Sequence, residues 1–130
     1  QGYCDALRDA GHEYPEPLRW HYATERDVFR SILRSDECPD ALLVGNDVMA
    51  AEIILFMKEL GMRVPERIRI VGMEDMRCGQ TSVPPLTTVG YDKNQLAVEA
   101  TSLLLDMIHK KTTLPTRRFI PMTLIKRETA

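Results

Sequence analysis

Pro39-Asp40-Ala41-Leu42-Leu43-Val44-Gly45-Asn46-Asp47 is the stretch on which the fold turns. Ala41 to Val44 is an unbroken apolar run, the pattern of a parallel strand covered on both faces. Pro39 and Asp40 punctuate its start. Asn46 or Asp47 offers a side chain that can cap the next helix. That helix carries apolar residues to about Leu60 and stops at Gly61.

Working outward from this unit, the same alternation repeats. Downstream, Val64-Pro65 leads into a strand from Ile68 to Val71, and an irregular stretch from Glu74 to Pro85 follows. A strand from Thr87 to Tyr91, a helix from about Asn94 to Ile108 and an extended tail from Phe119 to Ile125 complete this half. Upstream, Tyr3, Ala6, Leu7 and Ala10 recur at helical spacing and Gly11 sits where a helix would end. Leu18 to Tyr22 reads as a short strand. Thr24 and Asp27 then have capping-box spacing ahead of Val28, Phe29, Ile32 and Leu33. Strands alternating with helices in this way predict an α/β fold, a parallel sheet flanked by helices with right-handed crossovers.

Composition narrows what such a fold can do. The 130 residues are 44% apolar, enough for one packed core, so a single compact unit is expected. The formal charge of -2, with both signs intermixed, leaves no basic face to follow a phosphate backbone. Cys4, Cys38 and Cys78 are odd in number and widely spaced, which predicts neither a disulfide framework nor a zinc site and fits a reducing cytoplasm. No apolar run approaches the ~18 residues of a membrane span. Gln1 begins in mid-pattern, so the chain is expected to be part of something longer.

In open α/β sheets ligands lie beyond the carboxyl ends of the strands. That rule selects Trp20, His21, Tyr22 and Thr24 after the first strand, Asn46 and Asp47 after the second, and Glu74 and Asp75 after the third. An aromatic plane can stack on a sugar or a nucleobase, and Asn, Asp and Glu exchange hydrogen bonds with hydroxyls, so a small polar ligand is expected. Each residue also has a plainer reading. Capping alone accounts for Asn46 and Asp47, a solvated loop for Glu74 and Asp75, and packing for Trp20.

His12, His21 and His109 have no partner at a metal-ligand spacing, and no metal or other cofactor is assigned. Neither a nucleophile elbow nor a Cys beside a His is present, nor is any phosphate-cradling glycine loop, so an enzyme is not expected. The helix after Asn46 spreads Val48, Met49, Ile53, Ile54, Leu55, Phe56, Met57 and Leu60 around more than one face. One face can cover the sheet; the other needs either a second copy or a third layer of the same chain.

The stretch from Pro39 to Asp47, with Ala50 beyond it, resembles the "PxAxxxxND..A" segment of the lac repressor and gal repressor family. Gly61, Val64-Pro65 and Ile68-Arg69-Ile70-Val71-Gly72-Met73-Glu74-Asp75 resemble its "G..VP..ISVVGFDD". Pro84-Pro85-Leu86-Thr87-Thr88-Val89 resembles its "PPLTTV", and Leu124-Ile125-Lys126-Arg127-Glu128 its terminal "LVxRxS". Four motifs in order cover nearly the whole chain.

The resemblance implies one lobe, residues 1–130, of a two-lobed sensor like the periplasmic sugar-binding proteins, in a regulator whose separate N-terminal head binds operator DNA. A sugar or related metabolite would be the effector, with Asn46, Glu74, Tyr91 and, counting back without gaps, Trp20 on ligand-contacting positions. Glu74 departs from the family's Asp and sets the carboxylate one methylene further out. The family's clamping Arg would precede Gln1. Residues 92–117 correspond to a crossover helix that packs on the other lobe. The helix after Asn46 and the loop from Met76 resemble a dimer surface, which favours self-association and places Met49, Ile53, Phe56, Met57, Met76 and Cys78 in a homodimer interface. The rivals are a solute-binding protein of a sugar transporter, which would need export, and an enzyme using Asp47, Glu74 or Asp75 as acid or base.

Overall fold

The computed structural model describes residues 2–12, 25–36, 38–109 and 117–130. The strand expected from Leu18 to Tyr22, with Trp20, His21 and Thr24, lies outside the described residues. The chain divides into two compact units, Gln1–Cys38 and Pro39–Ala130.

The first unit contains α1 (Gly2–Asp9) and α2 (Arg26–Leu33). Gly11 ends α1 as its sequence position predicts. At φ 75° it adopts the left-handed conformation that glycine takes without a Cβ clash, and the His12 N–H donates back to the Leu7 carbonyl at 3.0 Å. The start of α2 corrects the capping-box expectation: the N-cap is Glu25, and its side chain makes no capping bond. Phe29 and Leu33, one turn apart on α2, are buried.

In the second unit β1 (Ala41–Leu43), β2 (Arg69–Met73), β3 (Thr87–Tyr91) and β4 (Met122–Ile125) form one sheet in the order β1-β2-β3-β4. The first three strands are parallel, with Leu43 opposite Val71 and Met73 opposite Val89. The tail expected to be merely extended is β4, antiparallel to β3, with Val89 opposite Leu124. An antiparallel edge on a parallel sheet needs no further crossover, only a chain that returns along the last strand. Helix α3 (Asp47–Glu59) joins β1 to β2, α5 (Lys93–Ile108) follows β3, and the stretch expected to be irregular holds the single turn of α4 (Arg77–Gln80). Among the described residues no helix is long and apolar enough to cross a membrane.

The core lies between the sheet and α3. Ala50, Ile53, Ile54, Phe56 and Met57 of α3 are buried, as are Ile70 within β2 and Ile68 and Leu86 just before β2 and β3. Each large side chain so buried contributes ~1.5–3 kcal/mol. The cover on β1 departs from expectation. Val44 just beyond it is buried, but Ala41 is exposed and Leu43 is 59% exposed, so among the described residues β1 is not sealed on both faces.

Candidate functional site

Because β1, β2 and β3 are parallel, their carboxyl ends share one edge of the sheet, with neighbouring strands ~4.8 Å apart. Asn46, Glu74 and Tyr91 fall on that edge. Asn46 is the N-cap of α3, and its Oδ1 accepts the Met49 N–H at 2.8 Å. The cap occupies the carbonyl side of the amide and leaves its two N–H groups as donors. Tyr91 closes β3 and is half-buried. Glu74 follows β2 with φ at 101° and Asp75 with φ at 48°, two consecutive non-glycine residues in left-handed space. The Glu74 N–H donates to the Val89 carbonyl at 2.8 Å, which docks the turn on β3.

The four acidic and amide side chains selected at these strand ends divide sharply in how they are used. Asp47 is fully buried. Its Oδ1 accepts the Thr88 hydroxyl and its Oδ2 the Met76 N–H, both at 2.7 Å. Room for it comes from glycine: a Cβ on Gly72 would collide with Asp47 Oδ1 and with Leu86, and one on Gly79 would stand 3.2 Å from Asp47 Oδ2. Asp47 therefore cannot be the exposed ligand contact expected of it; it ties α3 to β3 and to the loop after β2.

Asp75 is spent in the same way. Its carboxylate accepts Arg127 Nη2 at 2.5 Å and Gln80 Nε2 at 3.3 Å. The Arg127 hydrogen bond holds its pKa below the ordinary carboxylate value, opposed by desolvation and helped by Gln80 and by the charges of Arg127 and Lys93. A carboxyl kept ionised far below neutral pH is poorly matched to acid-base work. Glu74 is the exception, since no side chain among the described residues is bonded to its carboxylate. Among the described residues no group of three His, Cys, Asp or Glu could hold a metal ion.

Sequence reasoning missed Thr88 and Arg127. Thr88 is fully buried and sits in the Leu-Thr-Thr-Val strand, where a polar residue facing the core calls for a buried partner. Gly72 within β2 was the other available signal, because glycine inside a strand marks close approach by something else. Trp20 lies outside the described residues. Two surface depressions, one along α5 at Thr101 and Asp106 and one between Lys58 and Val83, are lined by none of Asn46, Glu74 and Tyr91. One sheet edge supplies one wall, and a ligand crevice needs a second.

The expected self-association residues also need correction. Ile53, Phe56 and Met57 are 4%, 1% and 0% exposed, so the chain has already spent them on its own core. Met49 and Cys78 are half-buried and Met76 is 37% exposed. The apolar surface α3 still offers is Val48 and Leu55, at 48% and 62% exposure.

Parallel strands with hydrogen-bonding side chains gathered at their carboxyl edge define the class: an open α/β domain of the ligand-binding kind. Residues 1–130 match the family described as periplasmic binding protein-like domain, and the chain belongs to that family. It is 32% identical over 98% of its length to the HTH-type transcriptional regulator CelR of Thermobifida fusca, and covers 39% of that protein. It is 33% identical over 85% of its length to the HTH-type transcriptional repressor PurR of Pasteurella multocida, and covers 34% of that one. The chain thus spans little more than a third of these relatives.

Among solved structures, a complex of the transcriptional regulator CelR with cellobiose superposes with a TM-score of 0.84 at 32% identity, over 100% of this chain and 41% of that one. The lac repressor dimer bound to operator and the anti-inducer ONPF gives 0.79 at 26% identity, over 98% of this chain and 45% of that one. The likeness to the lac repressor family read from the four motifs is borne out. The relatives named are transcriptional regulators.

Proposed function

We propose that this chain is the effector-sensing lobe of a bacterial transcriptional regulator, binding a sugar or related polar metabolite and catalysing no reaction. One observation carries the reading. At three neighbouring strand ends the Asn46 amide donors, the Glu74 carboxylate and the Tyr91 side chain retain hydrogen-bonding capacity, while Asp47 and Asp75 beside them are consumed by internal bonds. Donor, carboxylate and aromatic phenol together suit a polyhydroxyl ligand, with Trp20 as the stacking plane.

In the intact protein, a cytoplasmic homodimer, the effector would bind between this lobe and a second one. Its differential affinity for two lobe arrangements would shift the dimer between DNA-competent and DNA-incompetent states. DNA contact would belong to a head outside this chain, in keeping with the chain's -2 charge. The relatives named as regulators favour this over a transporter's solute-binding protein.

The test is fluorescence of Trp20, the single Trp of the chain, during titration of the intact protein with cellobiose, glucose 6-phosphate and adenine. A saturable response to one of them is expected. Glu74→Ala should weaken it about tenfold to a hundredfold, the loss of a hydrogen bond to a charged group. A response that survives Glu74→Ala unchanged would remove the site from these strand ends.

A further inference from the structure

We propose that Arg127 is a positioning residue for Glu74, acting through Asp75; its consequence for effector binding rests on the reading above. The need for such a residue follows from the backbone. Glu74 at φ 101° and Asp75 at φ 48° occupy conformations that L side chains seldom take, and two in succession persist only where the surroundings impose them. The bonds that impose them come from three directions. Val89 accepts the Glu74 N–H at 2.8 Å, and buried Asp47 accepts the Met76 N–H at 2.7 Å. Lys93 Nζ reaches the Asp75 carbonyl at 3.3 Å. The remaining restraint is the side chain of Asp75, held by the Arg127 guanidinium at 2.5 Å and by the longer, neutral bond from Gln80 Nε2 at 3.3 Å.

The guanidinium is itself fixed. Its other terminal nitrogen, Nη1, donates to the Leu86 carbonyl at 2.8 Å, so the planar fork spans from the entry of β3 to the turn after β2. Gly90 leaves the space in which Asp75 lies, since a Cβ there would stand 2.9 Å from Asp75 Cβ.

The docking of the C-terminal tail does not depend on this fork. The Thr129 hydroxyl donates to the Ile70 carbonyl at 2.6 Å and accepts the Thr87 N–H at 2.8 Å, the Ile70 N–H donates to the Thr129 carbonyl at 2.9 Å, and the Glu128 N–H donates to Pro85 at 3.0 Å. The Arg127 backbone N–H adds a bond to Thr87 Oγ1 at 2.9 Å. A substitution that keeps the stem of Arg127 but removes its donors should therefore free the turn and leave the tail in place. This makes positioning separable from a general stabilising role.

The experiment is residue-resolved amide hydrogen exchange on the intact protein, wild type against Arg127→Met and Arg127→Lys. In Arg127→Met the Glu74 and Met76 amides should exchange about tenfold faster, the loss of a charge-assisted hydrogen bond, while Ile70 and Thr87 stay within about twofold of wild type. Arg127→Lys should fall between, because a single ammonium cannot bridge Leu86 and Asp75 as the fork does. Unchanged exchange at Glu74, or equal acceleration at Ile70 and Thr87, would overturn the proposal, and if Arg127→Met does not fold, Arg127→Lys decides on the same amides.

Cellobiose titration of the same proteins separates the two readings. Affinity about tenfold weaker in Arg127→Met supports both. Selective loosening at Glu74 in Arg127→Met, together with a wild type that binds no cellobiose, counts against cellobiose as effector and leaves the positioning role standing.

Discussion

Helices α3 and α5 begin alike and end in opposite circumstances. Each has an Asx N-cap: Asn46 accepts from Met49 at 2.8 Å and Asp92 from Gln95 at 2.9 Å. Each is rich in apolar residues spread around more than one face. Yet α3, of 13 residues, buries five apolar side chains and Asp47, whereas α5, of 16, buries none. Val98, Leu104 and Ile108 are 66%, 55% and 63% exposed. Among the described residues α5 is tied by its ends and one side: Lys93 to the Asp75 carbonyl, and Glu99 and Asp106 to Arg118. Local propensity and capping make a helix, but only an opposing surface makes it a core element.

The contrast can be broken most directly at Phe56. Phe56→Ala should cost about 3–5 kcal/mol, read as a lower midpoint in urea, because the side chain is 1% exposed at the centre of the α3 contact. A cost near zero would mean that α3 is no more committed to the sheet than α5. Asp47→Ala comes next, at about 3 kcal/mol, since it removes two hydrogen bonds to a buried carboxylate and strands the Met76 N–H and the Thr88 hydroxyl. Thr88→Val, which leaves the Met76 bond intact, should cost less than Asp47→Ala; equal costs would show that the Met76 bond contributes nothing.

A smaller effect should appear at the joint between the start of α5 and the sheet. Asp75 has a folded pKa held below its ordinary value by Arg127, so its contribution is present above the unfolded pKa of about 4 and fades as pH falls through the lower folded value. Melting temperature followed from pH 6 downward should therefore show a decline below about pH 4 that is shallower in Asp75→Asn. Matching slopes in the two proteins would mean that the ion pair adds nothing to stability. Smallest of all is Leu104→Ala on α5, which should change the stability of this chain by less than about 0.5 kcal/mol because the side chain is already 55% exposed. A loss of several kcal/mol would show that α5 is covered in solution.

Much of the fold was legible in the residues. The strand from Thr87 to Tyr91 was placed to the residue, α3 and α5 to within one, and Gly11 was recognised as a helix end, while the cap of α3 was narrowed to Asn46 or Asp47, all from signals that act over a few positions. The irregular stretch hid the turn of α4, whose four residues are too few to show a period. The direction of β4 was likewise invisible, since an extended apolar segment looks the same whichever way it pairs. At the site, the strand-end rule selected Asn46, Glu74, Asp47 and Asp75 together and had no means of ranking them.

By itself, then, the sequence determined the α/β alternation, the end of α1 at Gly11, the family and the edge of the sheet where a ligand would be met. Periodicity, capping chemistry and four ordered motifs are all written in neighbouring residues. The tertiary structure alone decided which polar groups at that edge are still available. Asp47 is taken by Thr88, 41 residues away, and Asp75 by Arg127, 52 residues away, while the carboxylate of Glu74 between them has no side-chain partner among the described residues. A hydrogen bond depends on distance in space, and no local pattern records which distant donor will arrive.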